Sequence, residues 1–448
     1  MYRKDSITIH EWIEKSNKAL LVTGARQIGK TWLIRDEIDK SGYKRFEINF
    51  INQPDMIDFL NAEMSAEDFL VKLKMIMPED CKPHETIIFF DEIQKCPEIV
   101  TKIKFLVDEG SFKYAMSGSL LGVTLKGITS APVGYLSLIK MYPMDFEEFM
   151  VANDVSKTTL DMLKEKFDAC EPVDDFIHQK LLALFFVYLI VGGMPDAVKK
   201  YIETKDIREV DKIQKDIVEL YKQDFSQYEK EDKKLKLKSI YEIVPAELNK
   251  QNKKFIFTML NKELKFDRYE NSFLWLKEAG VVIPVYNAEM PAVPLLASKS
   301  SNVFRLFSSD IGLLTCAYPA ETKIELINKN GDVNNGAHFE NAVAQQLLAN
   351  GFEPYFCKKK NLGELDVLIE LGGKVVPIEV KSGKSYKSHK ALDNYIKVPD
   401  YHLEKAYVLS TFNVEKEGKI IYLPIYMSYL LREPRIEQLI VDLDMAGL

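Results

Sequence analysis

The sequence predicts a multidomain α/β protein with a parallel sheet near its N-terminus, a helical middle and a smaller α/β region near its C-terminus. Apolar runs of strand length recur at residues 19–22, 46–50, 86–90 and 112–116, and helix-like segments separate them. This alternation is typical of a parallel sheet built by crossover connections. Helical periodicity dominates residues 146–221, and strand-like runs return at 364–370 and 375–380.

Composition limits the class of protein. The chain has 448 residues, a formal net charge of −7, 46% hydrophobic and 28% charged residues, which fits about two to four globular domains rather than a disordered or fibrous chain. The acidic balance excludes a uniformly basic nucleic-acid coat. Five scattered cysteines include no Cys-x-x-Cys pair, so we expect a reducing compartment without a disulfide framework or zinc site.

The sequence carries no membrane signal. Its N-terminal stretch is charged throughout, and the longest uncharged apolar run, residues 181–194, ends near Pro195. That run is about six residues short of a membrane span. We therefore expect a buried helix here, in a cytoplasmic protein with no membrane contact.

Three stretches look like joints between regions. Residues 226–239 are rich in charged residues, and residues 321–338 are rich in Asn and Gly with short apolar segments between them. Residues 154–172 are polar and helical in pattern, and fit an insertion better than a boundary. These joints divide the chain into an N-terminal α/β region, a helical region, a small mixed region and a C-terminal α/β region.

A phosphate-binding loop follows the first predicted strand. Residues 24–31 read GARQIGKT, and a helical stretch begins near Thr31. Glycines let backbone N–H groups turn toward anionic oxygens, and the helix N-terminus adds partial positive charge. Lys30 is expected to reach the β- and γ-phosphates of ATP, and the Thr31 hydroxyl to ligate Mg²⁺. The residues expected to contact the nucleotide here are Gly24, Ala25, Arg26, Gln27, Ile28, Gly29, Lys30, Thr31 and Trp32.

A second motif ends the strand at residues 86–90. The segment TIIFFDEIQK places Asp91 and Glu92 directly after four apolar residues. Asp91 is expected to hold hydrated Mg²⁺, and Glu92 to orient or polarise the attacking water. Taken alone, the two acids also fit a helix N-terminus with a capping carboxylate. The next strand ends in Ser117-Gly118-Ser119. One of these hydroxyls, for which we choose Ser117, is expected to contact the γ-phosphate. The alternative is that this segment is a plain strand-to-loop turn.

These motifs resemble those of bacterial and archaeal AAA-superfamily ATPases, whose phosphate loop reads G-A-R-Q-x-G-K-T and whose second motif reads D-E-I-Q. The segment 142–149, YPMDFEEF, and the turn Gly192-Gly193-Met194-Pro195 are similar to further motifs of that family. The resemblance implies an ATPase core at residues 1–150 and a helical lid at 151–225. It covers most of the chain, including a C-terminal region whose function is unknown in the family.

One position departs from the resemblance. Tyr135 stands where many relatives carry Arg or Lys, so a charge-neutralising finger at that position is in doubt. Arg26 and Arg35 are basic alternatives nearby, and we expect both to be solvated surface residues.

The middle region, residues 226–320, resembles a winged helix-turn-helix. Three helical patterns precede a strand at 281–286, and residues 268–279 would be the recognition helix. Residues 229–268 carry 11 Lys/Arg against 7 Asp/Glu, a modest basic excess. Since the proposed recognition helix is apolar over much of its surface, packing or protein contact is the favoured use, and DNA binding is the alternative.

A second set of charged residues marks the C-terminal region, residues 330–430. Glu340 lies on a predicted helix, Asp366 heads one strand, and Glu379 and Lys381 share a face of the next, beyond a Gly372-Gly373 hairpin. Asp366 and Glu379 are candidate Mg²⁺ ligands, and carboxylates beside a Lys can activate water against a phosphodiester. The arrangement resembles the Asp…Glu-x-Lys nuclease fold, which implies catalytic roles for all four residues or a scaffold retained for binding.

We expect an ATPase that uses ATP and Mg²⁺. Three uses of that activity stay open: coupling to processing of DNA or RNA, an ATP-gated switch or scaffold that acts on protein partners, and a metal-dependent nuclease regulated by ATP. Oligomeric state is also open.

Overall fold

Two sheets organise the residues that the computed structural model describes, which are 1–61, 65–119, 134–228, 231–250, 270–328 and 335–434. One sheet has five strands and the other has eight. The prediction of an α/β chain with an N-terminal parallel sheet and a further C-terminal sheet is confirmed.

The five-stranded sheet forms the N-terminal region. Its strands are β1 (Ala19–Thr23), β2 (Lys44–Asn49), β3 (Thr86–Asp91), β4 (Lys113–Gly118) and β5 (Leu136–Lys140). They lie in the order β2-β3-β4-β1-β5, and every neighbouring pair is parallel. In this register Asn49 lies opposite Asp91, and Thr23 lies opposite Gly118. The carboxyl ends of β1 to β4 therefore meet at one edge, where α/β sheets bind their ligands.

Helices cover both faces of this sheet. They are α1 (Asp5–Lys15), α2 (Lys30–Ser41), α3 (Asp55–Asn61), α4 (Ala66–Ile76) and α5 (Glu98–Glu109). Because successive strand side chains point to opposite faces, β3 places Ile87 and Phe89 in one apolar cluster and Ile88 and Phe90 in another. All six residues of β3 are buried, which explains the continuous apolar run in the sequence.

A helical region follows. It contains α6 (Phe146–Ala152), α7 (Lys157–Ala169), α8 (Asp175–Val191), α9 (Pro195–Thr204) and α10 (Ile207–Tyr228). The apolar run 181–194 forms most of α8, which ends at Val191 with Gly192 as its C-cap, so the predicted buried helix is confirmed. Among the described residues, no helix combines the length and apolar character that crossing a membrane requires.

The charged stretch 226–239, predicted as a joint, is helical where the structure describes it, and its role as a boundary stays a prediction. Helix α10 runs to Tyr228, and α11 (Glu231–Leu248) begins three residues later. Leu237, Ile240 and Val244 are spaced three and four residues apart and are buried in the main core. A helix with one apolar stripe can carry many charges on its remaining positions.

The eight-stranded sheet gathers strands from two of the predicted regions. They are β6 (Val282–Ala288), β7 (Lys299–Ser308), β8 (Tyr355–Lys359), β9 (Gly363–Leu371), β10 (Lys374–Val380), β11 (Ala406–Ser410), β12 (Glu415–Glu417) and β13 (Ile420–Pro424). Their order is β12-β13-β11-β10-β9-β8-β6-β7. Gly372 and Gly373, both at positive φ, turn the β9–β10 hairpin, as the sequence predicts.

The strand predicted for the winged helix belongs to this same sheet. Strand β6 pairs antiparallel with β7 and parallel with β8. One sheet therefore contains strands from both sides of the proposed boundary at residues 320–330. Helix α12 (Glu270–Glu278) covers most of the proposed recognition helix, and residues 251–269 lie outside the described residues. The winged-helix interpretation and the four domain boundaries stay predictions.

The described residues of the C-terminal half also form α13 (Ile311–Thr315), α14 (Ala320–Ile327), α15 (Gly336–Ala349) and α16 (Lys390–Ile396). Helix α15 lies between the helical region and the second sheet. Its Phe339 packs against Phe185 and Phe186 of α8, and its Asn341 accepts a 2.8 Å hydrogen bond from Ser308 N at the end of β7. Helix α15 thus touches both the helical region and the sheet.

Candidate functional site

The phosphate-binding loop joins β1 to α2. Gly24 has φ 139°, and a side chain there would meet the Met141 carbonyl oxygen at 2.4 Å. Gly29 caps α2 in the left-handed conformation, with φ 90°, which favours glycine. The loop therefore needs both glycines, and it ends on a helix N-terminus of the kind that binds phosphate.

Lys30 is folded back into this loop. Its Nζ donates hydrogen bonds to the carbonyl oxygens of Gly24 at 3.0 Å and Ala25 at 2.6 Å. Burial lowers the pKa of Lys30 to about 8, against the partial compensation of Glu92 and Asp91. The loop thus holds a desolvated ammonium group whose charge a bound phosphate would stabilise.

Asp91 is buried at the end of β3 and accepts three side-chain hydrogen bonds. Thr31 Oγ1 donates to its Oδ1 at 2.9 Å, and Asn49 Nδ2 donates to its Oδ2 at 2.7 Å. The Ser117 hydroxyl also donates to Oδ1. Threonine and aspartate oxygens are hard ligands that suit Mg²⁺, so the donors at this point fit the metal that the loop implies. Ser117 contacts this carboxylate, and its predicted phosphate contact stays a prediction.

Glu92 lies next to Asp91 in a left-handed conformation, with φ 59°. Its carboxylate accepts a hydrogen bond from Gln94 Nε2, which also donates to Ser119 Oγ at 3.2 Å. The carboxylates of Asp91 and Glu92 therefore have different hydrogen-bond partners, although the two residues are adjacent. Sequence reasoning missed the roles of Asn49 and Gln94, although the D-E-I-Q pattern contains the glutamine.

Lys30, Thr31 and Glu92 line a cavity of about 720 Å³, a size typical of small-molecule and cofactor sites. Helix α9 and the first residues of the chain complete its wall, including Met1, Arg3, Lys199 and Ile202. Arg3 is buried and holds the loop in place by donating to the Ile28 carbonyl at 3.0 Å. Among the predicted site residues, those that line the cavity are Arg26, Gln27, Ile28, Gly29, Lys30, Thr31, Trp32 and Glu92.

The two arginines considered as fingers are both ion-paired; Arg35 keeps an exposed side chain, as expected, whereas Arg26 is partly buried. Arg26 pairs with the buried Asp224 of α10 and donates to Ser119 Oγ at 3.3 Å. Arg35 donates to Glu47 at 2.9 Å. Asp224 lies 198 residues after Arg26, so only the tertiary fold reveals that pair.

The Gly-Gly-Met-Pro turn between α8 and α9 bonds residues from both halves of the chain. Met144 N donates to the Gly193 carbonyl at 2.7 Å, and Gly193 N donates to Asp310 Oδ2 at 2.6 Å. Burial raises the pKa of Asp310 to about 6. Gln345 of α15 donates to the hydroxyl of Tyr188, which lies on the helix just before the turn, at 3.0 Å. The turn is therefore bonded to Asp310 at the start of α13.

The second predicted site also assembles. Glu340, Asp366, Glu379 and Lys381 come from α15, β9, β10 and the residue after β10. Lys381 Nζ lies 2.8 Å from Glu379 Oε1, and Val380 N donates to Asp366 Oδ2 at 3.1 Å. Burial and the neighbouring Asp366 raise the pKa of Glu379. The structure thus brings together the residues that the sequence set proposed.

A cation that sequence reasoning missed lies inside this set. Arg305 of β7 is 3% exposed, and its Nη1 donates to Glu340 Oε2 at 3.3 Å and to the Asp366 carbonyl at 3.2 Å. Its Nη2 bonds Glu364 and lies 4.0 Å from Asp366 Oδ1. An arginine inside the apolar strand run VFRLF was the available signal, because a buried charge needs a partner.

Family comparisons agree with the first site and are silent on the second. Residues 16–150 match the family model of an AAA domain. Residues 182–324 and 335–427 match two domains of unknown function, DUF8612 and DUF4143. The first match agrees with the parallel sheet and its loop, and residues 16–150 are thus similar to AAA domains. No curated protein matches the chain.

Solved structures give distant likenesses. A Walker-type ATPase of Pyrococcus abyssi is 14% identical, covering 70% of this chain and 95% of that one, with a TM-score of 0.39. AMPPCP-bound DnaA from Aquifex aeolicus is 12% identical over 56% and 76%, with a TM-score of 0.32. The RuvB Holliday junction branch migration motor of Thermotoga maritima is 15% identical over 66% and 91%, with a TM-score of 0.28. Likenesses this distant say nothing of substrates or partners.

Proposed function

We propose that the chain binds ATP with Mg²⁺ at the P-loop and hydrolyses it. The single observation that carries this proposal is the contact of Thr31 with Asp91, which joins the loop to the end of β3 beside Lys30 and Glu92. A phosphate-binding amine, two hard oxygen ligands and a second carboxylate are the groups that nucleotide hydrolysis uses. Of these, Lys30, Thr31 and Glu92 line one cavity.

Each residue has a role in this proposal. Lys30 exchanges its bonds to the Gly24 and Ala25 carbonyls for phosphate oxygens, and the α2 N-terminus donates backbone N–H groups to the same anion. Thr31 and Asp91 would hold Mg²⁺, which when bound neutralises charge on the phosphates. Glu92 orients the attacking water and accepts its proton. Gln94 fixes the carboxylate of Glu92.

An ATP-turnover assay tests this proposal. We expect Lys30→Ala to lower phosphate release by roughly 100-fold or more, since losing one electrostatic donor to a transition state costs about that much. Lys40→Ala is a matched control, because Lys40 lies on the same helix, is exposed, and pairs with Asp36 and Glu37 at its surface. Equal loss in both variants, or turnover in Lys30→Ala at the parent rate, would contradict the proposal.

A second proposal concerns what the ATP site controls. We propose an ATP-gated switch in which the lid turn transmits nucleotide state to the C-terminal sheet. Pro195, the first residue of α9, lies against Gly29 of the loop: its Cγ is 3.7 Å from the position that a Cβ on Gly29 would take. Two residues earlier, Gly193 bonds both Met144 and Asp310. Any movement of the lid toward phosphate therefore acts on the start of α13.

Helix α15 carries that movement further. Its Gln346 accepts from Phe146 N at 3.2 Å and donates to Asp145 at 3.1 Å, while Glu340, near the other end of the helix, bonds Arg305 of the second sheet. Hydrogen exchange on the full chain, with and without a non-hydrolysable ATP analogue, tests the switch. We expect altered protection in α15 and β7, and the Lys30→Ala variant to show none; protection changes confined to the P-loop domain would contradict it.

Coupling to DNA or RNA remains the alternative use of the same movement. It predicts that nucleotide state changes affinity for nucleic acid. A binding panel of single- and double-stranded DNA and RNA, run with the ATP analogue and with ADP, separates it from a switch that acts on protein partners.

A further inference from the structure

A buried arginine forms ion pairs with the carboxylates of the C-terminal cluster. Arg305 enters it from β7 and contacts Glu340, Glu364 and the backbone and side chain of Asp366. Its guanidinium also lies over the Phe356 ring, with Cζ 4.8 Å from the ring centroid. The arginine is therefore fixed by ion pairs on its edge and an aromatic ring on its face.

The local charges nearly cancel. Four carboxylates, those of Glu340, Glu364, Asp366 and Glu379, face the cations Arg305, Lys358 and Lys381. A divalent metal at the same place would add two charges and would lie against a guanidinium that is 3% exposed. Repulsion between like charges at close range in a low-dielectric site is costly.

Most of the oxygens that a metal needs already accept from protein cations or a backbone N–H group. Mg²⁺ takes six ligands in near-octahedral geometry. Here Glu340 Oε2 and Glu364 Oε1 accept from Arg305, Asp366 Oδ2 accepts from Val380 N, and Glu379 Oε1 pairs with Lys381. Glu364 Oε2 pairs with Lys358, and Asp366 Oδ1 lies 4.0 Å from Arg305 Nη2 without a hydrogen bond to it. Glu379 Oε2 is buried without a hydrogen-bond partner, and these two oxygens are too few for an octahedral site. Across the described residues, no group of three or more His, Cys, Asp or Glu side chains is placed to hold a metal.

We propose that Arg305 is a built-in cation that takes the place that the nuclease resemblance gives to Mg²⁺. With Arg305 in place, the cluster binds no divalent metal, and the C-terminal region is not a metal-dependent nuclease. The residues therefore do not fit the metal in this arrangement. Arg305 serves instead to join β7, β9 and α15 around one buried charge.

Binding of Mn²⁺ to the nucleotide-free full chain, followed by electron paramagnetic resonance, tests this proposal. The first comparison is the parent against Asp366→Asn, which keeps an oxygen for Val380 N. We expect both to bind the same number of Mn²⁺ ions, because any ion held at the P-loop is common to them. An ion that the parent binds and Asp366→Asn does not would overturn the proposal, and this comparison does not depend on altering Arg305.

The second comparison removes the internal cation. We expect Arg305→Gln to bind one Mn²⁺ more than the parent, and the double variant Arg305→Gln, Asp366→Asn to lose that ion again. Arg305→Lys, which keeps the charge, should exclude the extra ion. A folded Arg305→Gln variant that gains no ion would show that Arg305 does not stand in a metal's place. If that variant fails to fold, the first comparison alone decides.

Discussion

The Thr31 hydroxyl donates a 2.9 Å hydrogen bond to the Asp91 carboxylate, which lies 60 residues later in the chain. The contact joins the first turn of α2 to the end of β3, and so joins the phosphate-binding loop to the strand that carries both acids. Asn49 holds the other oxygen of the same carboxylate at 2.7 Å. Asp91 is thus oriented before any ligand binds, which reduces the reorganisation that binding requires.

Removing the Thr31 hydroxyl should weaken the metal site selectively. We expect Thr31→Ala to raise the Mg²⁺ concentration needed for half-maximal ATP turnover and to lower the maximal rate, because it removes a proposed ligand and leaves Asp91 with one bond fewer. Thr31→Ser keeps the hydroxyl and should stay close to the parent. A magnesium titration of the turnover rate measures both effects; equal behaviour of the two variants would remove Thr31 from the metal site.

Replacing Glu92 should separate binding from hydrolysis. We expect Glu92→Gln to bind ATP as tightly as the parent and to hydrolyse it about 10²- to 10⁴-fold more slowly, the contribution typical of a general base. Equilibrium binding of a fluorescent ATP analogue and single-turnover phosphate release measure the two steps. Glu85→Gln is the control, since Glu85 is exposed just before the same strand. A parent-like rate in Glu92→Gln would refute the assigned role.

The lowered pKa of Lys30, about 8, predicts proton uptake when ATP binds. Above that pKa much of the free protein carries neutral Lys30, and phosphate favours the charged amine, so ATP affinity should fall as pH rises from 8 toward 10. For the free protein, the unfolded chain binds more protons than the folded chain between about pH 8 and the usual value of 10.5, so this group makes folding more favourable as pH rises there.

Calorimetry at pH 8.5 in two buffers of different ionisation enthalpy measures that uptake. We expect a fraction of a proton to be taken up per ATP bound, and a larger fraction in Glu92→Gln, which retains Lys30 but loses a carboxylate that raises its pKa. Binding that releases protons, or that shows no dependence on buffer, would contradict a depressed pKa at this residue.

Gly193 should tolerate no side chain. A Cβ there would lie 1.9 Å from the Met144 carbonyl oxygen, whereas a Cβ at Gly383 would meet nothing within 4 Å. Neither glycine has the positive φ that strains other residues, so the two differ in space alone. We expect Gly193→Ala to lower the free energy of unfolding by about 1–3 kcal/mol, as overpacking does, and Gly383→Ala to leave it unchanged in urea denaturation.

The sequence by itself determined the parts whose signals are local. The spacing of Gly24, Gly29, Lys30 and Thr31 marks the phosphate loop, and the buried run before Asp91 marks the strand that presents the acids, because backbone geometry and burial leave a pattern within ten residues. The glycine pair at 372–373 marked its hairpin for the same reason. The strands predicted from apolar runs lie within a few residues of their observed positions, whereas β5, β7, β8 and β11 to β13 were not predicted.

Only the tertiary structure decided which distant groups meet. Asp224 meets Arg26, Asp310 meets Gly193, and Arg305 meets Glu340; each pair closes a long loop that no local pattern records. The sequence predicts a joint at residues 226–239, and the structure shows a helix there with Leu237 and Ile240 buried in the core. The same four acidic and basic residues that suggest a metal site in the sequence acquire Arg305 as a neighbour in the fold. Because the chemistry of a buried carboxylate is set by the charges packed around it, the character of that cluster was decided by β7.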